Sequence, residues 1–232
     1  MLVDAHCHLD SIKGYALSES VLPVTVGYSH SSNIKTLEIA NRLAIPFVLG
    51  ISPQAAQKEG IGKLDEWAEW IRNAKPNAIG EIGLDNHWAK TPEDKKNQQV
   101  AFAKMLDLAD DMCLPIVIHA REAISEIITI LRERKFSHGI MMHFFSGNEG
   151  EANQIVDLGG YISIVPFHSK PRAKVILGTE LERLLIETDA PAMVRLPEEV
   201  KKSAEYICTV KGFDFQTVGE QTARNAKKFF RF

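Results

Sequence analysis

A closed α/β barrel, a single (β/α)8 TIM barrel, is the fold that three observations on this sequence predict. First, eight short apolar runs rich in β-branched residues recur along the 232 residues. Second, most segments between these runs repeat apolar residues with the spacing of amphipathic helices. Third, no Gly-x-Gly-x-x-Gly motif follows the first run, as it would in an open sheet that binds dinucleotides. We therefore predict one domain over residues 1–232, with a doubly wound open sheet as the alternative.

The predicted strands are short runs of Val, Ile, Leu and Ala, several of them introduced by Gly or Pro. In chain order they cover Leu2–His6, Pro23–Tyr28, Pro46–Ile51, Ala78–Ile82, Pro115–His119, Gly139–His143, Gly160–Val165 and Leu184–Thr188. The predicted helices repeat apolar residues every three or four positions. They cover Ser32–Leu43, Leu64–Ala74, Glu93–Met112, Ala123–Arg134, Ala152–Leu158, Ala173–Leu181, Glu198–Val210 and Phe215–Phe229. This alternation favours a parallel sheet, and eight strands are the number that closes a barrel.

Composition and charge are those of an ordinary globular protein, with 45% hydrophobic and 25% charged residues. A net charge of -3 provides no general attraction for nucleic acid, so local Lys and Arg side chains or metal ions would have to bind a polyanion. The three cysteines are far apart, and no apolar run approaches the ~18 residues that cross a membrane. These features predict a cytoplasmic protein with no membrane association and no obligate protein partner.

The first predicted strand leads into His6-Cys7-His8, the most informative local pattern of the chain. Side chains alternate between the two faces of a strand, so His6 and His8 point the same way and Cys7 points the opposite way. Two imidazoles about 6–7 Å apart along one face can close on a single metal ion. Taken alone, such a pair is equally well explained by chance or packing, so its interpretation depends on the rest of the chain.

Further groups that can bind metal lie at the ends of later apolar runs. They are Glu81, His119, His143 and Asp189. Each alone could be a hydrogen-bonded structural residue, but catalytic groups of a barrel gather at the carboxyl ends of its strands. Four histidines and two carboxylates exceed one tetrahedral site. They predict a centre of two divalent ions, Mg, Mn or Zn, of the kind that activates a water molecule and stabilises an oxyanion.

The segments around these residues resemble the TatD family of metal-dependent deoxyribonucleases, a branch of the amidohydrolase-like metallohydrolases. In order and spacing over nearly the whole chain, the matching segments are Asp4-Ala5-His6-Cys7-His8, Gly80-Glu81-Ile82-Gly83-Leu84-Asp85, Ile118-His119-Ala120-Arg121, His143-Phe144-Phe145-Ser146-Gly147, Glu187-Thr188-Asp189-Ala190-Pro191 and Thr222-Ala223-Arg224-Asn225-Ala226. Each segment alone is unspecific, whereas the combination is highly specific. The resemblance implies a metallohydrolase domain that cleaves phosphodiester bonds, as a deoxyribonuclease acting on DNA or on a small phosphoester.

The resemblance also implies roles for the site residues. The metal ligands would be His6, His8 and Asp189 for one ion, His119 and His143 for the other, and Glu81 as the bridge between them. Asp189 and Glu81 would be the catalytic residues. Asp189 would also orient or deprotonate the attacking water.

The chain departs from the family pattern at two places near the expected substrate. Ser52 stands in Gly50-Ile51-Ser52-Pro53 where the family usually has a histidine. The loop after Pro191 is short and passes through Met193–Pro197 into a helix. Both changes predict a weaker hold on long duplex DNA. The candidate substrate contacts are Arg121, Ser52, His87 and His168.

Two alternative functions stay open on the sequence. The first is a related amidohydrolase that acts on a lactone, an amide or a small phosphoester. The second is a metal-binding protein without turnover, although the complete set of ligand-type residues argues against it. Metal analysis followed by a panel of phosphoester, lactone and oligonucleotide substrates separates the three functions.

Overall fold

The computed structural model describes all residues, 1–232, and contains the predicted barrel. Its eight parallel strands pair in sequence order, from β1 to β8. They are β1 Leu2–Cys7, β2 Val21–Val26, β3 Phe47–Leu49, β4 Ala78–Asp85, β5 Ile116–Arg121, β6 Ile140–Met142, β7 Tyr161–Ile164 and β8 Leu184–Ile186. The α-helices are α1 His30–Leu43, α2 Pro53–Glu59, α3 Leu64–Ala74, α4 Pro92–Met112, α5 Ile124–Arg134, α6 Glu149–Asp157, α7 Lys170–Gly178, α8 Lys201–Lys211 and α9 Phe215–Phe230. None of them is both long and apolar enough to span a membrane.

Two backbone hydrogen bonds join β1 to the segment that follows β8. The amide of Asp189 donates to the carbonyl of His6 at 2.9 Å, and the amide of His8 donates to the carbonyl of Ala190 at 2.7 Å. The chain of strand pairs therefore returns to its start, and the barrel predicted from the strand count is confirmed. This closure lies among three of the predicted metal ligands.

Alternation along the strands produces two apolar layers. Val48 and Val117 face the barrel interior, whereas Ile116 and Ile118 face the helices. The carboxyl end of α9 covers the amino ends of the strands, where the ring of Phe229 meets that of Tyr161, the first residue of β7, at 5.6 Å between centroids. One end of the barrel is thus sealed by apolar packing, and the polar groups are gathered at the other end.

Predicted and observed strands agree in number and order, and their ends differ by up to three residues. Helix α2 was not predicted, because its few apolar residues show no helical period. Its start nevertheless carries two recognisable signals, since the Ser52 hydroxyl accepts from the amide of Ala55 at 3.2 Å and Pro53 occupies the first helical position. The helix predicted over Glu198–Val210 begins instead as a 3-10 turn over Pro197–Val200, followed by α8.

Gly83 allows β4 to approach β5 beside the polar residues. Its φ is +138°, and a Cβ atom at this position would lie 2.0 Å from the carbonyl oxygen of His119. We expect Gly83→Ala to lower the free energy of unfolding by at least about 2 kcal/mol, because both the dihedral angle and the contact would be strained. Urea denaturation measures the change. Gly62→Ala is the matched control, since no atom lies within 4 Å of its added methyl group. Equal midpoints for the two variants would contradict the argument.

Candidate active site

His6 and His8 meet in the barrel mouth as the period of a strand predicts. Their Nε2 atoms are 3.3 Å apart, while the thiol of Cys7 points away and donates to the carbonyl of Val24. The Nδ1–H of His8 donates to the carbonyl of Val26 at 2.8 Å. That hydrogen bond fixes the ring and directs Nε2 into the site.

Glu81 lies within β4, whereas the apolar run in the sequence predicts it at the end of the strand. The strand continues to Asp85, and its pairing with β5 changes register between Ile79 and Ile82. An irregularity of this kind re-aims the side chains next to it. The Glu81 carboxylate is buried, with Oε2 3.7 Å from Nε2 of both His6 and His8.

His119, on β5, is held between two carboxylates. Its Nδ1 lies 2.8 Å from Oε1 of Glu81, and its Nε2 lies 3.0 Å from Oδ2 of Asp85. Asp85 is fully buried and also accepts from the side-chain amide of Gln54 at 2.7 Å. The ring of His119 therefore has a fixed orientation before any ligand binds.

His143 follows β6 and stacks on the ring of His6, with 3.7 Å between centroids. Its Nδ1 is 3.2 Å from the carboxylate of Glu187, a fully buried residue at the end of β8. A carboxylate on one ring nitrogen directs the other nitrogen toward the centre of the site.

Asp189 completes the site from a turn after β8. Its backbone has a φ of +54°, in the left-handed region that Asp adopts more readily than most residues. The carboxylate Oδ1 is 3.3 Å from Nε2 of His8 and 3.8 Å from Nε2 of His6. The buried Asp4 holds this turn, because it accepts from the amide of Thr188 at 2.9 Å and from the Thr188 hydroxyl.

Burial and neighbouring charges oppose each other in setting the histidine pKa values. Burial lowers the pKa of His8, but the hydrogen bond with Asp189 and the charge of Glu81 outweigh it and raise the pKa to about 9. Burial also lowers the pKa of His119, and its hydrogen bonds with Asp85 and Glu81 raise it to about 9. Without a metal ion, both side chains are therefore in the positively charged imidazolium form at pH 7.

The remaining groups respond to the same cluster of charges. Burial, together with the neighbouring His143, holds the pKa of His6 well below its usual value. Burial alone would raise the pKa of Glu81, but its hydrogen bond with His119 and the nearby imidazoles hold it well below its usual value. The site is thus a compact arrangement of buried opposite charges.

Three groups of side chains have the geometry in which a divalent ion could bind. Within each group the ligand-type atoms lie within 4.8 Å of one another: His6, His8 and Glu81; His6, His143 and Asp189; and Glu81, His119 and His143. His6, His143 and Glu81 each belong to two groups, and Glu81 is the only carboxylate among them, so it is the group that could bridge two ions. The second group joins His143 to Asp189, which the sequence assigned to different ions. The Nδ1 atom of His6 is buried without a hydrogen-bond partner. Imidazole nitrogens and carboxylate oxygens are ligands for Zn and Mn, so the residues present fit a divalent metal centre.

The site opens into a cavity of about 730 Å³. Two candidate substrate contacts, Arg121 and Ser52, line it. The Ser52 hydroxyl caps α2. At the position where the family usually has a histidine, this chain therefore has a side chain that makes a structural hydrogen bond. The Arg121 guanidinium lies over the ring of Trp88, 5.7 Å from its centroid.

The other two candidate contacts are not among the residues that line this cavity. His87 is 2.9 Å from the carboxylate of Glu122. The ring of His168 stacks on that of Tyr206, with 3.9 Å between centroids. Their proposed role in substrate binding stays a prediction.

Several residues of the site received no role from the sequence. Asp85 and Glu187 orient histidines, and the position of each carboxylate at the end of an apolar strand was the signal that could have identified them. Tyr28 lines the cavity after β2 and meets the ring of His8 edge-on at 5.2 Å. Gln54 also lines it, but it lies on α2, so no strand-end rule could have identified it.

A barrel that gathers histidines and carboxylates at the carboxyl ends of its strands is typical of metal-dependent hydrolases. The chain belongs to the TatD family, since the family model described as TatD related DNase matches residues 3–231. The family resemblance noted in the sequence is confirmed.

Two relatives agree with this assignment, and a solved structure shares the fold. The Bacillus subtilis protein named uncharacterized metal-dependent hydrolase YabD is 31% identical, over 100% of this chain and 99% of that protein. Human deoxyribonuclease TATDN3 is 31% identical, over 99% of this chain and 94% of that protein. The crystal structure of YJJV, a TatD homologue from Escherichia coli K12, has a TM-score of 0.87 and 23% identity, over 100% of this chain and 98% of that chain. This likeness shows that the fold is the TatD barrel.

The histidine pKa values predict how metal binding depends on pH. His8 and His119, with pKa values of about 9, must each lose a proton before binding an ion. Against the effect of burial, the carboxylate of Glu187 raises the pKa of His143 as well. Affinity should therefore rise with pH, and the logarithm of the apparent Kd for Mn²⁺ should fall by at least about one per pH unit between pH 6 and 8. Calorimetric titration measures this slope. His138→Gln, outside the cluster, should keep the slope, and a parent slope near zero would contradict these pKa values.

Proposed function

We propose that this protein is a deoxyribonuclease that hydrolyses phosphodiester bonds in DNA through a centre of two divalent ions. The observation that carries the proposal is the position of Glu81, the one carboxylate that is shared by two neighbouring groups of metal-capable side chains. Bound divalent ions would lower the pKa of a water molecule and neutralise charge on the phosphate. Because Mg, Mn and Zn all support such chemistry, each is a candidate for the resident ion.

The residues of the site would have different roles in hydrolysis. His6, His8 and Asp189 would bind one ion and His119 and His143 the other. Glu81 would be a ligand of both ions. The Asp189 carboxylate, which lines the cavity, would accept the proton of the attacking water.

Recognition of DNA would depend on local groups, because the net charge is -3. Arg121 lines the cavity and presents a guanidinium suited to a phosphate. The name of the human relative, a deoxyribonuclease, supports DNA as the substrate.

Location in the cytoplasm is part of the proposal. All three cysteines are free thiols, as a reducing compartment favours.

A substrate panel tests the proposed function. The chain loaded with Mg²⁺, Mn²⁺ or Zn²⁺ should cleave a single-stranded oligodeoxynucleotide and bis(p-nitrophenyl) phosphate, and chelation should abolish both activities. Hydrolysis of lactones or amides with no phosphodiester cleavage would favour the amidohydrolase alternative. Metal binding without any turnover would favour the non-enzymatic one.

Replacement of Asp189 tests the mechanism. Asp189→Asn keeps the shape and much of the hydrogen bonding of the side chain, so its melting temperature at saturating metal should change little. It removes the group that would accept the proton, and loss of a general base typically costs about 10²–10⁴-fold in rate. We expect at least a hundredfold loss of phosphodiester cleavage at saturating metal.

A matched control for this variant is Asp65→Asn, on α3, whose side chain is 92% exposed. It should keep the parent rate. Retention of more than about a tenth of that rate by Asp189→Asn would refute the role assigned to Asp189.

A further inference from the structure

Gln54 is a helix residue whose side chain reaches the outer side of the active site. It is the second residue of α2, and it lines the cavity. Its Nε2 donates to Oδ2 of Asp85 at 2.7 Å and lies 3.3 Å from Nε2 of His119. One amide group is therefore in contact with both a proposed metal ligand and the carboxylate that orients this ligand.

The ring of His119 faces a carboxylate at each of its two nitrogens. Nδ1 is 2.8 Å from Oε1 of Glu81, and Nε2 is 3.0 Å from Oδ2 of Asp85. A histidine that binds metal through one nitrogen usually donates the N–H of the other nitrogen to a carboxylate. The ring alone does not decide between the two arrangements, because either carboxylate is a suitable metal ligand. A feature outside the ring must keep Asp85 in the role of hydrogen-bond acceptor.

Hydrogen bonds occupy the carboxylate of Asp85. Oδ1 accepts from the amide of Trp88 at 3.0 Å, and Oδ2 accepts from Gln54 and from His119. Since a carboxylate oxygen has two lone pairs, Oδ2 has none left for an ion. An ionised carboxylate only accepts hydrogen bonds, so the NH2 group of Gln54, rather than its carbonyl oxygen, must face Asp85.

The start of α2 places Gln54 at this point of the barrel mouth. The Ser52 hydroxyl caps the helix and Pro53 occupies its first position, so the backbone of the next residue is fixed. Asp85 is held from its own side by Gln98, since its amide donates to Oε1 at 2.8 Å and its carbonyl accepts from Nε2 at 3.1 Å. The hydrogen bond between Gln54 and Asp85 therefore joins two segments whose backbones are each fixed independently.

We propose that Gln54 is a positioning residue that fills Oδ2 of Asp85 and so keeps this carboxylate out of the metal centre. Asp85 then remains the acceptor for Nε2 of His119, and Nδ1 is the nitrogen that binds the ion. The inference rests on the proposed function and adds to the same site a residue that acts through His119.

Nitrogen NMR of the Zn²⁺-loaded protein with isotope-labelled histidine rings tests this role. The signals of His119 are assigned by their loss in His119→Gln, and couplings to the ring protons distinguish Nδ1 from Nε2. In the parent, the nitrogen bound to Zn²⁺ should be Nδ1. Gln54→Met keeps the length of the side chain but cannot donate, so Oδ2 of Asp85 gains a free lone pair. We expect a second set of His119 signals from rings bound through Nε2.

Calorimetric titration with Mn²⁺ provides a second measurement. Loss of an outer hydrogen bond of a metal site typically costs ~10–100-fold in metal affinity. The apparent Kd of Gln54→Met for Mn²⁺ should therefore be at least about tenfold higher than that of the parent.

Gln57→Met is the matched control, since Gln57 lies on the same helix and is not among the residues that line the cavity. Its Nε2 has no hydrogen-bond partner, so the substitution breaks no hydrogen bond of that group. It should keep the parent signals and the parent Kd.

Parent-like signals and a parent-like Kd for Gln54→Met, or binding through Nε2 in the parent, would overturn the role of Gln54. Cleavage of an oligodeoxynucleotide by the metal-loaded parent is measured separately. Absence of cleavage would overturn the proposed nuclease function, whereas the signals of His119 would still decide the role of Gln54.

Discussion

The burial of the Glu81 carboxylate among imidazoles is the interaction on which the rest of the site depends. Glu81 is 7% exposed and approaches the rings of His6, His8 and His119. A buried charge is stable only when it is paired, and breaking such a pair costs several kcal/mol, of the order of 3–5. The protonated rings of His8 and His119 likewise need this carboxylate, because it compensates their positive charges. A divalent ion could replace the protons of these imidazoles while preserving the balance of charge.

The barrel supplies a second set of partners that fix each ring from outside the cluster. The carbonyl of Val26 orients His8, the carboxylate of Glu187 orients His143, and Asp85 orients His119. These partners come from β2, from the end of β8 and from β4, so the orientation of the rings depends on closure of the whole sheet. Such outer contacts fix the ring nitrogen that is free to bind metal.

Much of this arrangement could be predicted from sequence, because it follows from short-range periodicity. The period of a strand places His6 and His8 on one face, and apolar runs identify the strand ends near His119 and His143. The position of Glu81 within β4 could not be predicted, since it depends on a register shift between two strands. Helix α2 was missed because it is short and polar, although Ser52 and the following proline mark its start.

Contacts between residues that are distant along the chain also could not be predicted from the sequence. The contact of His143 with Glu187 spans 44 residues. The stacking of His168 on Tyr206 likewise joins residues that only the fold brings together. The exposure of a side chain is a further example, because residue type alone does not distinguish Trp88 in solvent from Trp67 in the core.

The central claim, that these side chains form a centre of two ions, is tested most directly by anomalous X-ray scattering from crystals grown with Mn²⁺. We expect two anomalous peaks about 3.5–4 Å apart, with the Glu81 carboxylate between them. One peak should lie against His6 and His8, and the other against His119 and His143. A single peak at saturating Mn²⁺, or two peaks that do not share Glu81, would contradict the account.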